Sequence, residues 1–474
     1  MSLKSSWVRN TSARVWQHAC SLWGEPLRGI GSGGRSRVDF GEPRVLMTLV
    51  GWLVLISSAT VGQAEHWSGW RGPAQNGFTN ESNLPLHWST SEGIQWRVEL
   101  PGVGHASPIV WGDAIFITFA DPADLTRHVT CIDRHRGRTI WDRVVGTGPF
   151  ETMHEDNSPA SATPVTDGER VYSVFCVEGK LHVTALTMAG ELAWQSQPGT
   201  FFSRHGFCTG LVLTPEGQLI VSGLQDGPDP FLAALDRKTG AITWKVTRPV
   251  QSRSYSTPAV CQIDGQAALL LSGADQTIAY DRRSGKTLWA VEGPATKTVS
   301  SIVIDEQLGL AFVCGGRDGN FYALRTSLAE HEQPAGPAPP NSNAGADSAF
   351  EPTPTLKQRL AWKSTKGIPY MTSPLVSKGR LHIFSDEGIY NCFEAKTGRV
   401  LKTVRAVGSV RASMIANDER IYLVEEDGTT TVFRNDDTWT VLAKNALSES
   451  VIASPAVAPG QLIIRGTKHL YAIH

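Results

Sequence analysis

The chain has 474 residues, 44 Lys+Arg against 45 Asp+Glu, 46 Gly, 27 Pro and 15 Trp. A formal net charge of -1 with no basic block leaves no electrostatic footprint for nucleic acid or an anionic membrane surface. Frequent glycine, with short apolar segments between turn residues, excludes long helices and coiled coils and points to an all-β chain. The seven cysteines include no CxxC, no CxxCH and no adjacent pair, which removes zinc, thioredoxin-like and c-type haem sites. They read as small buried residues rather than a disulfide framework.

At the N-terminal end, Val45 to Ile56 reads VLMTLVGWLVLI, after Arg44 and before SSATVGQA with its small residues Gly62 and Ala64. Twelve apolar residues are short for a bilayer span, so the segment reads as a signal peptide cleaved near Ala64. An uncleaved anchor over 45–64 is the alternative, and the only route by which the protein would meet a membrane. The Arg-rich stretch before it is long for a leader and suggests a start codon downstream of Met1. No cysteine follows the apolar core to carry an acyl anchor. Export to the periplasm or the extracellular space is expected. Residues 1–64 then stand outside the fold, and 65–92, with Trp67 and Trp70, are expected to pack on the outside of the domain as a cap.

The next segments repeat. A small residue, a hydrophobe, a polar residue, a Gly-containing turn and a Trp recur in CIDRHRGRTIW (131–141), ALTMAGELAW (185–194), ALDRKTGAITW (234–244) and AYDRRSGKTLW (279–289). A fifth copy starts at Ala323 and resumes at Leu360-Ala361-Trp362. A sixth, 392–402, has Lys402 where Trp is expected, and a seventh, 432–442, keeps only the outline. The chain ends on half a motif, Tyr471-Ala472-Ile473-His474, and Gly93-Ile94-Gln95-Trp96 supplies the missing half. The spacing suits four-stranded propeller blades, eight in all. In each hairpin the glycine (Gly137, Gly190, Gly240, Gly285, Gly398) takes the positive-φ position, and the Asp side chain bonds turn amides. Trp96, Trp141, Trp194, Trp244, Trp289 and Trp362 present flat surfaces for packing between blades.

A second column precedes each blade, as in HASPIVWGDAIFI (105–117) or ASPAVAPGQLIIR (453–465): a small polar residue, an apolar strand, a turn, an apolar strand. Eight such segments supply the two inner strands of eight blades. Residues 328–357, rich in Pro, Ala and Asn, read as a disordered insertion in the fifth blade. The expected architecture is an eight-bladed β-propeller over 93–474, closed by N- and C-terminal strands that share one blade.

The motif A-x-D-x-x-T-G-x-x-x-W resembles the repeat of the pyrroloquinoline-quinone-like β-propeller superfamily. That group includes quinoprotein alcohol dehydrogenases and the propeller subunit of the outer-membrane β-barrel assembly machinery. Trp67-Ser-Gly-Trp70-Arg-Gly-Pro, Gly104 to Asp113, Thr163 to Tyr172 and His469 to His474 further resemble secreted propellers of planctomycete-type bacteria. The resemblance implies fold more than activity.

Two functions stay open. A dehydrogenase would need pyrroloquinoline quinone, a divalent cation such as Ca²⁺ and a carboxylate base acting on an alcohol or sugar. The adjacent cysteine pair common in that group is missing here. A noncatalytic module would use the disc to hold a protein, peptide or glycan, or act as an assembly adaptor through edge strands or loops. No catalytic residue, metal site or cofactor is assigned. The residues entering the inner strands would form a cationic and aromatic funnel rim: His105, His154, Glu155, Asn157, Arg204, His205, Arg253, Tyr255, Tyr370 and Arg411. His105, His154 and His205, from consecutive blades, are also weighed as a metal site.

Overall fold

The computed structural model describes residues 66–248, 251–316, 319–329 and 355–474. The first blade pairs Ile109–Trp111, Ala114–Asp121, Thr126–Asp133 and Thr139–Thr147 in that order, antiparallel throughout. Blades two to seven repeat this order over 165–200, 212–247, 259–292, 303–364, 375–405 and 415–446. In the eighth, Ala456–Ala458, Gln461–Arg465 and His469–Ile473 are completed by Ile94–Glu99 from the other end of the chain, with Trp96 opposite Ala472. The two half-motifs therefore close the ring. The innermost strand of blade one lies against those of blades eight and two.

Inner strands are buried on both faces and read as continuous apolar runs such as Leu462 to Ile464. Outermost strands alternate: in Thr139–Thr147, Trp141 and Val145 are buried and the residues between them exposed. The hairpin aspartates act as their position demands. Asp236 Oδ1 accepts from the amides of Lys238 and Thr239 at 3.0 and 2.8 Å, and Asp281 accepts likewise from Arg283 and Ser284.

Each hairpin glycine also serves the preceding blade. A Cβ at Gly137, Gly190, Gly240, Gly285 or Gly398 would stand 2.5–2.7 Å from the ring of Trp96, Trp141, Trp194, Trp244 or Trp362 respectively. The same indoles donate to carbonyls in that neighbouring turn, those of Arg134, Met188, Arg237, Arg282 and Ala395, at 2.7–3.3 Å. The motif thus links blade to blade through one ring, one glycine and one hydrogen bond.

Trp289 departs from the pattern because the insertion interrupts the fifth blade's hairpin. Arg359 lies there instead, its guanidinium 4.9 Å from the ring centroid, and pairs with Asp264. Where Lys402 replaces an indole, Trp439 from the seventh blade's own turn fills in, with its ring 4.7 Å from Tyr390 and 4.3 Å from Phe433.

The small polar residue before each inner strand has a physical role. Ser107, Thr163, Thr209, Thr257, Ser301, Ser373, Ser413 and Ser454 are all buried. Five of their hydroxyls accept the amide of the equivalent residue one blade earlier: Ser107 to Thr163, Thr257 to Ser301, Ser301 to Ser373, Ser373 to Ser413 and Ser413 to Ser454, at 2.8–3.1 Å. A belt of hydroxyls stitches the blades at the axis. The six described cysteines are free, five of them buried.

Residues 330–354 of the insertion lie outside the described residues, as do 1–65 with the apolar core 45–56. The ends of the insertion are ordered rather than disordered: Leu328 is buried with its amide on Asp264, and Leu356–Arg359 forms a helical turn. Residues 67–78 are not an outer cap. Trp67 is buried and bridges Val110 of blade one, Phe78 bridges Ala416 of blade seven, and Gln75 bonds Pro258 O and Val260 N of blade four. Partners on blades this far apart place 67–78 across the mouth of the central channel.

Candidate functional site

All ten predicted rim residues lie on connections from an outermost strand to the next blade's innermost strand, which gather at one mouth of the channel. Several of them meet. His154 and His205 stack with ring centroids 5.4 Å apart and planes 3° from parallel, and Asn157 Nδ2 donates to His205 O at 2.7 Å. Arg411 donates from Nη1 to Asp156 Oδ1 at 2.9 Å, and its Nε lies 3.1 Å from Glu426 Oε1. Asp156 sits between blades one and two and Arg411 between blades six and seven, so the pair spans the mouth.

His105 lies beneath this bridge. Burial, together with Arg465 and Arg411, pulls its pKa down to about 4, against a hydrogen bond to the backbone of Asp156. Arg253 is held by both oxygens of Asp226, at 2.9 and 3.1 Å, and Tyr255 Oη lies 3.1 Å from Ser203 Oγ. The Tyr370 amide bonds Asp386. Arg204 and Glu155 point to solvent without joining the group.

The expectation of a cationic rim needs correcting. Its two inward arginines are matched by Asp226 and by Asp156 with Glu426, so the mouth is a set of ion pairs. Asp226 and Glu426 lie on turns between second and third strands, where an acid-Gly pair recurs (Glu178-Gly179, Asp226-Gly227, Asp386-Glu387-Gly388, Glu426-Asp427-Gly428) as a signal the tryptophan column does not share. The three histidines do not come together around a metal: two stack on each other, and among the described residues no group of three or more His, Cys, Asp or Glu is placed to hold one.

A cavity of about 900 Å³ opens at the opposite mouth, between 68–78 and the turns that follow the innermost strands. Trp70, Asn76 and Phe78 face Leu213, Val260, Asp305, Glu306 and Asp418 across it. Sequence reasoning misses this site because 65–92 carries no repeat, so nothing in it sets Trp70 apart from a packing residue.

The resemblance implies a quinone held with a divalent cation. The rim carboxylates Asp156, Glu426 and Asp226 are each bound to an arginine, and the cysteines stand singly in separate strands. The donor set at this rim does not fit the group.

Fold and repeat together define a propeller of the pyrroloquinoline-quinone-like class. Residues 179–352 and 348–473 match the model of the family described as outer membrane protein assembly factor BamB, and the chain belongs to that family. BamB from Moraxella catarrhalis is similar over 80% of this chain and 98% of its own, at 13% identity and a TM-score of 0.53. The quinohemoprotein alcohol dehydrogenase ADHIIG from Pseudomonas putida HK5 covers 86% of this chain and 80% of its own, at 10% identity and a TM-score of 0.57. The computationally designed Ika8 protein covers 79% and 100%, at 11% identity and 0.51. At these identities the likeness to solved structures is one of fold. No curated protein matches the sequence. Among the described residues no helix is long and apolar enough to cross a membrane.

Proposed function

We propose that this chain is an exported, noncatalytic propeller that acts as a scaffold for a protein partner, with a free peptide or a glycan as narrower variants of the same role. The observation that carries the reading is on the outer wall. Ile140, Val144, Leu192, Ile242, Val400 and Val441 are exposed on the outermost strands of five blades, each an unpaired sheet edge. Open edges bearing apolar side chains favour docking of another chain. Membership of a family described as an assembly factor of the outer membrane supports both a protein partner and a location outside the cytoplasm.

Two measurements test this. Titrating the purified propeller with pyrroloquinoline quinone, with and without Ca²⁺, followed by dye-linked alcohol oxidation, should show neither binding nor turnover. Photo-crosslinkers at Ile140, Leu192 and Ile242 in producing cells should give a discrete protein adduct. Tight cofactor binding with turnover, or no adduct from any edge position, would overturn the proposal.

A further inference from the structure

The cavity beside Trp70 has one wall made of a strap with fixed anchors. Thr166 N donates to Ser68 O and Ala416 N to Gly77 O, each at 2.8 Å, and between them Gln75 bonds Pro258 O and Val260 N through its two amide atoms. Anchors on blades two, four and seven hold this wall in shape before any ligand arrives, which lowers the ordering cost of binding. A volume of about 900 Å³ is that of a small-molecule site.

The polar groups left over on its walls are of both kinds. Trp70 is half-buried, and its Nε1–H has no acceptor among the described residues. Asn76 Oδ1 accepts the amide of Phe78 at 2.9 Å, which leaves Nδ2 to donate. Asp305 Oδ1 is engaged by the amide of Leu308 at 2.9 Å, but the carboxylates of Glu306 and Asp418 carry neither donor nor cation. Thr257 lines the cavity at 7% exposure, and its Oγ1 has no hydrogen-bond partner. It belongs to the hydroxyl belt, yet unlike Ser301, which accepts the amide of Thr257 at 2.8 Å, it accepts none from the blade before it. A buried hydroxyl left unmatched is destabilising, and a ligand that pairs with it removes that penalty.

Charge narrows the ligand. Lys378 is the one Lys or Arg among the described lining residues, and its Nζ donates to Asp418 O. With two carboxylates free and the ammonium engaged, phosphates, carboxylates and acidic sugars are repelled. A simple amine suits the acids but offers no acceptor to the indole or to the Asn76 amide. Hydroxyls both donate and accept. A pyranose ring sets them around an apolar C–H face, which matches a flat indole with an N–H at its edge.

We propose that this cavity binds a short neutral glycan, with one sugar ring on Trp70 and hydroxyls shared among Asn76, Thr257, Glu306 and Asp418. The site stands apart from the outer wall offered to a protein partner, and neither reading depends on the other.

Purified protein is titrated calorimetrically with neutral trisaccharides of glucose, N-acetylglucosamine, mannose and galactose, and with trigalacturonate and trilysine as charged comparators. At least one neutral trisaccharide should bind with a Kd of about 1 mM or tighter, and trigalacturonate should not bind. Thr257→Val removes a hydroxyl that bonds no other part of the fold, so it should leave Tm unchanged and weaken binding of that sugar roughly 2- to 10-fold. Trp70→Ala should weaken it by at least about 10-fold, and where that variant does not fold, Thr257→Val decides. No binding of any of the four sugars, a charged comparator that binds as tightly as the best of them, or full affinity in Thr257→Val would each overturn the site. Crosslinks from Ile140, Leu192 and Ile242 report on the outer wall alone, so the two proposals fail separately.

Discussion

Replacing Gly240 by alanine separates the two duties of a hairpin glycine. The residue sits at φ 73°, where a side chain costs about 1–2 kcal/mol. The new methyl would also stand 2.5 Å from Trp194 Cε3 and 2.7 Å from Cδ2. The indole must withdraw, at a packing cost of about 1–3 kcal/mol. Withdrawal also breaks the bond from Trp194 Nε1 to Arg237 O, which contributes about 1 kcal/mol. Together these predict a loss of about 3–6 kcal/mol. Gly265 is the control: φ is 76° and nothing lies within 4 Å of its missing Cβ, so Gly265→Ala should show the dihedral cost alone, about 1–2 kcal/mol. Urea unfolding followed by circular dichroism gives both values from midpoints at a shared slope. In a Trp194→Ala background the cost of Gly240→Ala should fall to that of Gly265→Ala. Equal costs for the two glycines in the wild type, or a Gly240 penalty that persists without Trp194, would refute the idea that the glycine is a socket for the preceding blade's tryptophan.

Deleting residues 468–474 removes buried Leu470 to Ile473 and, among the described residues, the only strand paired with Ile94–Glu99. Cooperative thermal unfolding should be lost, and a truncated protein that melts like the full one would rule out closure by shared strands. His105, with its folded pKa near 4, refuses the proton that its unfolded counterpart takes at about 6.5, so stability falls as pH drops through that interval. His105→Gln should therefore lose less stability than wild type between about pH 7 and about pH 4.5, by on the order of 3 kcal/mol, as read by urea midpoints at each pH. Asp156→Asn breaks the bridge to Arg411. Amide exchange of residues 150–158 should quicken while the inner strands stay protected.

How much of this was legible in the sequence follows from where periodicity operates. Trp141, Gly190 and the hydroxyls of Ser373 and Ser413 recur because each does the same job at every step around the ring. One sequence therefore carries several copies of the signal, and the blade number, the closure and the interblade role of the tryptophans could be read from it. Trp289 was assigned the same role, and it does pack between blades, but on Arg359 rather than on a glycine, because the insertion removes the hairpin that would have supplied one. The candidate rim was only half legible. Counting equivalent loop positions found His154, His205 and Arg411, yet it could not find Asp226 or Glu426, which reach the same mouth from a different set of turns. With these acids missing, the arginines looked like free positive charge. The N-terminal segment was least legible, since a stretch that occurs once has no internal copy to compare with.

That distribution bears on where function lies in this molecule. Residues repeated at every blade hold the disc together, and their chemistry is spent on neighbouring blades: indole on glycine, amide on hydroxyl. Residues that occur once are under no such demand. Arg71, buried in a left-handed conformation, the bridge from Asp156 to Arg411, and the cavity beside Trp70 all stand outside the repeat. The channel mouths are therefore where ligand specificity should be sought, and the open apolar edges of the outer strands are where the proposed protein partner should dock.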